Sequence, residues 1–315
     1  MPIDVIVNRN ARRLRDGSSL REAIRRASIR EGARLHETTD LGALETVAQG
    51  IARDRTDGVV LLGGDGSYMA GVSALARALG GALPPVGLGP GGTVGTIARN
   101  FGTGEDGRAG TETLLRAACA GKFRVEPKAT LRLETPGSED RVGFIFGAGL
   151  VARFFDEYYT ATDPGLGTAA WIAARVFGGS FVGSPLARRV LGKARCTLEV
   201  DGVVQEGRGW SLVLASVVRD VGLHVLATYR AGEARDRFHV VASSLSPQAL
   251  GLQAPRVVMG RPMGGDGRVD ALAASLRVRF DEPASFVLDG ELLRAQDLAL
   301  TAGPALPLMV PLHSV

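Results

Sequence analysis

A chain of 315 residues, 45% hydrophobic and 22% charged, is long enough for two domains with ample cores and has the make-up of ordinary globular material. Its net charge of +4, from 37 Lys+Arg against 33 Asp+Glu, suits anionic phosphates or an anionic membrane surface, while an aromatic content of 5% argues against base-stacking platforms and so against nucleic acid as a partner. The start MPIDVIVNRN lacks signal-peptide architecture, no apolar run approaches membrane-spanning length, and Cys119 and Cys196 sit far apart in apolar patterns; the expectation is a reduced, cytoplasmic protein whose membrane contact is peripheral.

Residues 3–7 predict a first strand, ending at Asn8-Arg9-Asn10. Ser19-Leu20-Arg21-Glu22 matches a capping box and opens a helix with Leu20, Ala23, Ile24 and Ala27 on one side. Residues 34–37 predict a second strand, and Asp40 caps a helix with the stripe Leu41, Leu44, Val47, Ala48 and Ile51. The apolar run 58–62 then reads as a buried strand running into Gly63-Gly64-Asp65-Gly66-Ser67, and Met69, Val72, Leu75, Ala76 and Leu79 mark one face of the helix that follows. Residues 85–89 predict a fourth strand, ending in Gly89-Pro90-Gly91-Gly92-Thr93, with helices over 96–101 and 109–120. Strands alternating with helices imply a parallel, doubly wound sheet, in which ligands bind beyond the carboxyl ends of strands. Asn8, the 63–67 loop and the 89–93 loop all lie at such ends, which points to one shared site.

Near Pro127 the pattern changes to alternating strands over 129–133, 142–146, 196–200, 212–217, 238–242, 276–280 and 286–288, with turn signals at Asp201-Gly202 and Asp289-Gly290. This reads as a mostly antiparallel β domain, a sandwich, interrupted by helices around 152–160 and 168–177. The fold class is therefore α/β + β. No solenoid repeat or low-complexity tail is present.

The glycine loop after the third strand suits a phosphate, because glycines admit close backbone approach and positive φ and the first helical N–H groups attract an anion. Asp65 would repel a bare phosphate and makes sense with a cation such as Mg²⁺ between them. A tight turn with Asp65 or Ser67 as helix cap explains the pentapeptide equally well. Gly87-Leu88-Gly89-Pro90-Gly91-Gly92 satisfies G-x-G-x-x-G but follows the fourth strand and contains Pro90, so it is rejected as a dinucleotide fingerprint and kept as a second phosphate-facing loop with Thr93 as hydroxyl donor. Gly264-Gly265-Asp266-Gly267 has no strand before it and reads as a surface turn. Asp289-Gly290-Glu291 is, on sequence alone, a hairpin turn; functionally, its carboxylates could take a hydroxyl proton or hold Mg²⁺. His36, His224, His239 and His313 show no metal-ligand spacing, and no zinc, serine-hydrolase or Walker A motif is present. Residues 171–189 mix apolar and basic side chains and fit either a core-packing helix with a loop or an interfacial flap for a lipid, with Phe177, Phe181 and Val182 as the exposed apolar candidates.

Together, residues 5–10, VVLLGGDGSYMAGVSAL, PVGLGPGGTVGTIARNFG and FVLDGELL with its proline-rich sequel resemble the diacylglycerol kinase catalytic-domain family, which includes bacterial soluble lipid kinases, sphingosine kinases and ceramide kinases. The resemblance spans nearly the whole chain. It implies a nucleotide-binding α/β domain over 1–127 with about 303–315 returning to it, a β-sandwich lipid-substrate domain over 128–302, and an active site in the cleft between them. It implies transfer of the ATP γ-phosphate to a lipid hydroxyl with Mg²⁺. Carried over by position, Asn8, Thr38, Gly63, Gly64, Asp65, Gly66 and Ser67 would hold the nucleotide or its metal, and Gly92 and Thr93 would form the second phosphate loop. Asp289 would be the general base with Glu291 beside it, and Asp65 the metal ligand.

The chain departs from the family at named positions. Gly92-Thr93 continues Val94-Gly95-Thr96, where the family usually has an Asn-Asp after one intervening residue. Glu126-Pro127-Lys128 stands where the family often places another Asp, and Asp236-Arg237 where Asp-Gly is common. A second hypothesis is therefore a non-catalytic lipid- or nucleotide-binding member of the fold. A third is an NAD-kinase-like enzyme acting on a soluble ligand, since such enzymes share GGDG. A homodimer formed through edge strands of the β domain stays open.

Overall fold

The apolar runs of the first third become buried strands because each is followed by a helix that covers one face of them. In the computed structural model, residues 2–92, 95–103, 107–162, 165–207 and 209–312 are described, so Thr93, Val94 and His313 lie outside the described residues. The chain divides into two units, Met1–Thr130 with Pro304–Val315, and Leu131–Gly303.

In the first unit, β1 (Ile3–Asn8), α1 (Ser19–Glu31), β2 (Arg34–Thr38), α2 (Leu41–Asp54), β3 (Gly58–Gly63), α3 (Asp65–Ala78) and β4 (Val86–Pro90) alternate, followed by α4 (Thr96–Asn100), α5 (Arg108–Cys119) and β5 (Phe123–Lys128). Strands β2, β1, β3 and β4 are parallel neighbours in that order. Ile3, Val5 and Val7 of β1 and Val60 and Leu62 of β3 pack against Leu20 and Ile24 of α1 and Leu114 and Leu115 of α5. Side chains alternate along a strand, so Leu61 points to the other face; there it meets α3, where a Cβ on Gly71 would come within 2.9 Å of it. The cap of α1 is Ser18, whose Oγ accepts the Arg21 N–H, one residue before the capping box read from the sequence. Asp40 caps α2 through the Ala43 N–H at 2.8 Å, as its position predicts.

The second unit holds β6 (Leu131–Glu134), β7 (Arg141–Gly143), β8 (Ile145–Gly149), α6 (Leu150–Thr160), α7 (Leu166–Phe181), α8 (Pro185–Leu191), β9 (Ala194–Val200), β10 (Val203–Val204), β11 (Gly209–Trp210), β12 (Leu212–Ser216), β13 (Phe238–Ser243), α9 (Pro247–Val258), β14 (Arg268–Ala273), β15 (Ser275–Leu288) and β16 (Glu291–Ala302). Their pairings are antiparallel. The two segments read as separate strands, 276–280 and 286–288, are one strand, β15, whose pairing with β16 shifts register between Arg279 and Ala284, around Pro283. Its first part pairs with β9 and its last part with β8. Helices α7, α8 and α9 bury Ile172, Val176, Val190, Leu191 and Leu250 with Leu212, Leu214 and Val241 of β12 and β13.

The last strand, β17 (Leu306–Pro311), lies in the sheet of the first unit, parallel to β4 and antiparallel to β5. Its Met309 joins the β1–α1–α5 core.

Candidate functional site

Pairing fixes a row of residues across the carboxyl ends of the parallel strands. Thr38 lies opposite Asn8, and Gly63 opposite Pro90. Between them, Val7 of β1 pairs with Leu62 of β3, so Asn8 and Gly63 leave the sheet side by side. The strand order reverses between β1 and β3, which makes this the topological switch point of the sheet, where ligands of doubly wound folds sit.

Ser67 is the hub of the row. Asn8 Nδ2 donates to Ser67 Oγ at 2.8 Å and the Gly64 N–H donates to the same oxygen at 3.2 Å. With both lone pairs occupied, the hydroxyl has its proton left to give. Asn8 is itself held by the Asn10 N–H, which donates to Oδ1 at 2.9 Å. The second glycine loop is tied to the first, because the N–H groups of Gly91 and Gly92 both donate to the Gly63 carbonyl, at 2.7 and 2.9 Å. The Tyr68 hydroxyl donates to the Gly89 carbonyl at 2.8 Å. Gly63, Gly64, Gly66, Gly91 and Gly92 all have ordinary φ, so the expectation of positive φ in these loops is corrected. The glycines are required by close approach: a Cβ on Gly92 would sit 2.5 Å from the Cα of Gly64. Above them α3 presents its first-turn N–H groups, which have no partner inside the helix, and with them a partial positive charge.

Residues 11–14, where Arg12 with Arg9 departs from the Pro and Gly common in the family's opening asparagine motif, wrap this site. The Arg13 N–H donates to the Gly91 carbonyl at 3.1 Å, and Leu14, fully buried, closes over Gly91. A buried leucine flanked by arginines was the available signal. Thr38 is buried with its hydroxyl toward the Val7 carbonyl at 3.4 Å, so its contribution to the row is its backbone carbonyl, which accepts the Arg9 N–H. Thr93 lies outside the described residues.

Asp65 opens α3 yet caps a different helix. Its Oδ2 accepts the Thr96 N–H and its Oδ1 the Ile97 N–H, each at 2.9 Å, which satisfies the first turn of α4. Burial pushes its carboxyl up, opposed by these two backbone donors. Glu126 is paired with Arg124 and Lys128, both at 2.8 Å. Among the described residues no group of three His, Cys, Asp or Glu side chains could hold a metal ion. The described residues thus fit an anion at the glycine loops, and both carboxylate oxygens of Asp65, the expected metal ligand, are engaged by the first amides of α4.

In the second unit, Asp289 and Gly290 form the tight turn between β15 and β16, with φ of 47° and 86°. Asp289 is buried, and its carboxylate accepts the N–H of Phe144 at 2.9 Å and of Ile145 at 2.8 Å. The Tyr159 hydroxyl donates to the Gly290 carbonyl at 2.5 Å. Glu291 is bridged to Arg141 at 3.0 Å; burial pushes its carboxyl up, partly offset by that guanidinium. Both the hairpin-turn reading and a positioned carboxylate are therefore present at Asp289.

Residues 2–122 match the diacylglycerol kinase catalytic domain family. Over the whole chain the fold is similar to a diacylglycerol kinase from Bacillus anthracis str. Sterne, with a TM-score of 0.63, 14% identity, and 98% of this chain and 96% of that one covered. It is also similar to yeast NADH kinase, solved as its complex with NADH, with a TM-score of 0.54, 11% identity, and 100% of this chain and 84% of that one covered. At such identities the likeness is one of fold. Among curated proteins none matches significantly.

Proposed function

We propose that this chain, whose residues 2–122 match the diacylglycerol kinase catalytic domain, is an ATP-dependent lipid kinase that phosphorylates a hydroxyl of diacylglycerol or a related lipid alcohol. The observation that carries the reading is the Asn8–Ser67–Gly64 hydrogen-bonded unit locked to Gly91 and Gly92 through the Gly63 carbonyl, at the switch point of a sheet with that family match. Bare glycine backbone and the N-terminus of α3 suit nucleotide phosphates, and the Ser67 hydroxyl adds a donor. Phosphoryl transfer asks mainly for positioning and charge stabilisation, which such a frame supplies. In the proposed step the acceptor oxygen bonds to the γ-phosphorus as the bond to the ADP oxygen breaks, and Asp289 takes the hydroxyl proton. The amides of Phe144 and Ile145 hold its carboxylate in place, and Glu291, bridged to Arg141, lies just beyond it in the turn. Asp65 acts by positioning α4 behind the second glycine loop.

Two further readings have an observation behind them. Asp65 spent on α4, with Glu126 tied to its basic neighbours, favours a non-catalytic nucleotide- or lipid-binding member. The likeness to yeast NADH kinase favours a soluble nucleotide acceptor. Incubation of the full chain with ATP, Mg²⁺, a lipid extract and NAD⁺, with mass detection of every phosphorylated product, separates the three. A phosphorylated lipid supports the proposal, phosphorylated NAD⁺ replaces it with the third reading, and nucleotide or lipid binding without product replaces it with the second.

A further inference from the structure

Helix α7 is apolar on both faces. Its inner face, Ala169, Ile172, Val176 and Ser180, is buried in the helical core of the second unit. Its outer face carries Trp171, Phe181 and the adjoining Val182, which are 57%, 59% and 81% exposed. A helix apolar all round is normally a buried one. The pattern continues on α9, which packs beside α7 where Gly251 meets Ser180; Leu252, Val258 and Met259 on and after α9 are also exposed.

The charges on this layer have one sign. Helices α7, α8 and α9 contain Arg175, Arg188, Arg189 and Arg256 and not one acidic residue, and no Asp or Glu occurs anywhere between Asp163 and Glu199. Arg175 lies over the Trp171 ring at 4.5 Å, so cation and indole form one amphipathic unit. Arg189 is bridged to Glu157 of α6 at 2.5 Å, while Arg188 is exposed beside Gly183 at the α7–α8 turn.

We propose that the outer face of α7, α8 and α9 is a docking surface for an anionic phospholipid bilayer. Apolar side chains at the tip enter the acyl boundary while arginines around them meet lipid phosphates, the division of labour of an interfacial helix. Self-association fits the same face poorly: a two-fold contact would set Arg175, Arg188 and Arg256 of one copy against those of the other, with no acid on these three helices to answer them. The proposal rests on the lipid-kinase reading only for why the chain should meet a bilayer, and its test needs no turnover.

The experiment is co-sedimentation of the full chain, without ATP, with vesicles of phosphatidylcholine alone or of equal parts phosphatidylcholine and phosphatidylglycerol. Tryptophan emission is followed in parallel. The chain has two tryptophans, and Trp210 is 1% exposed, so a blue shift on adding vesicles reports Trp171. We expect binding to the anionic vesicles, weakened by salt, and a blue shift. Arg175→Ala and Arg188→Ala should each weaken binding about fivefold. Joint replacement of Trp171, Phe181 and Val182 by serine should weaken it about tenfold or more. Val203→Ser with Val204→Ser, which removes the exposed pair of β10, should leave it unchanged. Equal binding to both vesicle types overturns the proposal, as does a triple variant no weaker than the β10 pair. A lipid-free dimer that shields Trp171 from a soluble quencher overturns it in favour of a second copy. Phosphate transfer to lipid without vesicle binding overturns only this proposal; vesicle binding without transfer overturns only the kinase reading.

Discussion

Gly64 and Gly92 touch backbone to backbone: a Cβ on Gly92 would fall 2.5 Å from the Cα of Gly64, and one on Gly64 would lie 3.2 Å from the Cα of Gly92. The two phosphate-facing loops are thus a single object, held by the Gly63 carbonyl between the amides of Gly91 and Gly92. Gly92→Ala should cost about 1–3 kcal/mol of stability, as overpacking against backbone does, and should weaken nucleotide binding as the loops part. Gly50→Ala is the control of opposite sign. It lies in α2 with open space around its Cβ, and the change should stabilise by about 0.5–1 kcal/mol. Thermal melts with and without ATP check both, and a harmless Gly92→Ala would contradict the joined-loop account.

Asp65 links the start of α3 to the start of α4. Asp65→Ala strips α4 of its acceptor and should cost about 0.5–2 kcal/mol, whereas Asp65→Asn keeps one carbonyl oxygen and should lose less. Denaturant titrations of the two variants measure the difference. Equal losses would show that the cap is not what Asp65 contributes.

Asp289→Asn is the informative change at the turn, since asparagine tolerates the φ of 47° while alanine would be strained there. Removing a general base typically costs about 10²–10⁴ in rate. Turnover should fall by that order with ATP affinity nearly unchanged, measured by initial rates and by nucleotide titration. Turnover at the wild-type level would remove Asp289 from the proposed step.

Asp4, buried on β1, bears on stability at low pH. Burial pushes its carboxyl up, but hydrogen bonds from His36, Arg34 and Thr56 outweigh that and hold it below the ordinary value. Such a carboxylate contributes stability that is present above its unfolded pKa of about 4 and is lost as the pH falls through the lower folded value. The melting-temperature gap between wild type and Asp4→Asn should be widest near neutrality and should shrink below about pH 4. A gap independent of pH would point to packing instead.

Much of this was legible because the local signals agree with the tertiary result. Strands ending in Asn8, Gly63 and Pro90 are almost wholly apolar, with Asp4 the one charge among them, and the Asp289-Gly290 turn has the residues its φ values require. What was not legible depends on partners remote in sequence. β5 and β17 pair Pro127 with Pro307, and prolines argue against strands unless an edge or a distant partner accommodates them. Helices α8 and α9 did announce themselves, through Ser184-Pro185 and Ser246-Pro247 as cap and first residue, but their short apolar stripes sit in segments read as β domain. That Asp65 caps α4 could not be read, since its two donors, Thr96 and Ile97, lie 31 and 32 residues away and are identified only by the fold.

The central claim is that phosphate leaves ATP for a lipid hydroxyl under the control of the glycine frame and Asp289. Its most direct test is the transfer of γ-labelled phosphate from ATP into diacylglycerol vesicles by the wild type, Gly92→Ala and Asp289→Asn. The account predicts a labelled phospholipid from the wild type, strongly reduced in both variants. A well-folded wild type that binds ATP but labels no lipid, or an Asp289→Asn protein that labels it as fast, would contradict it.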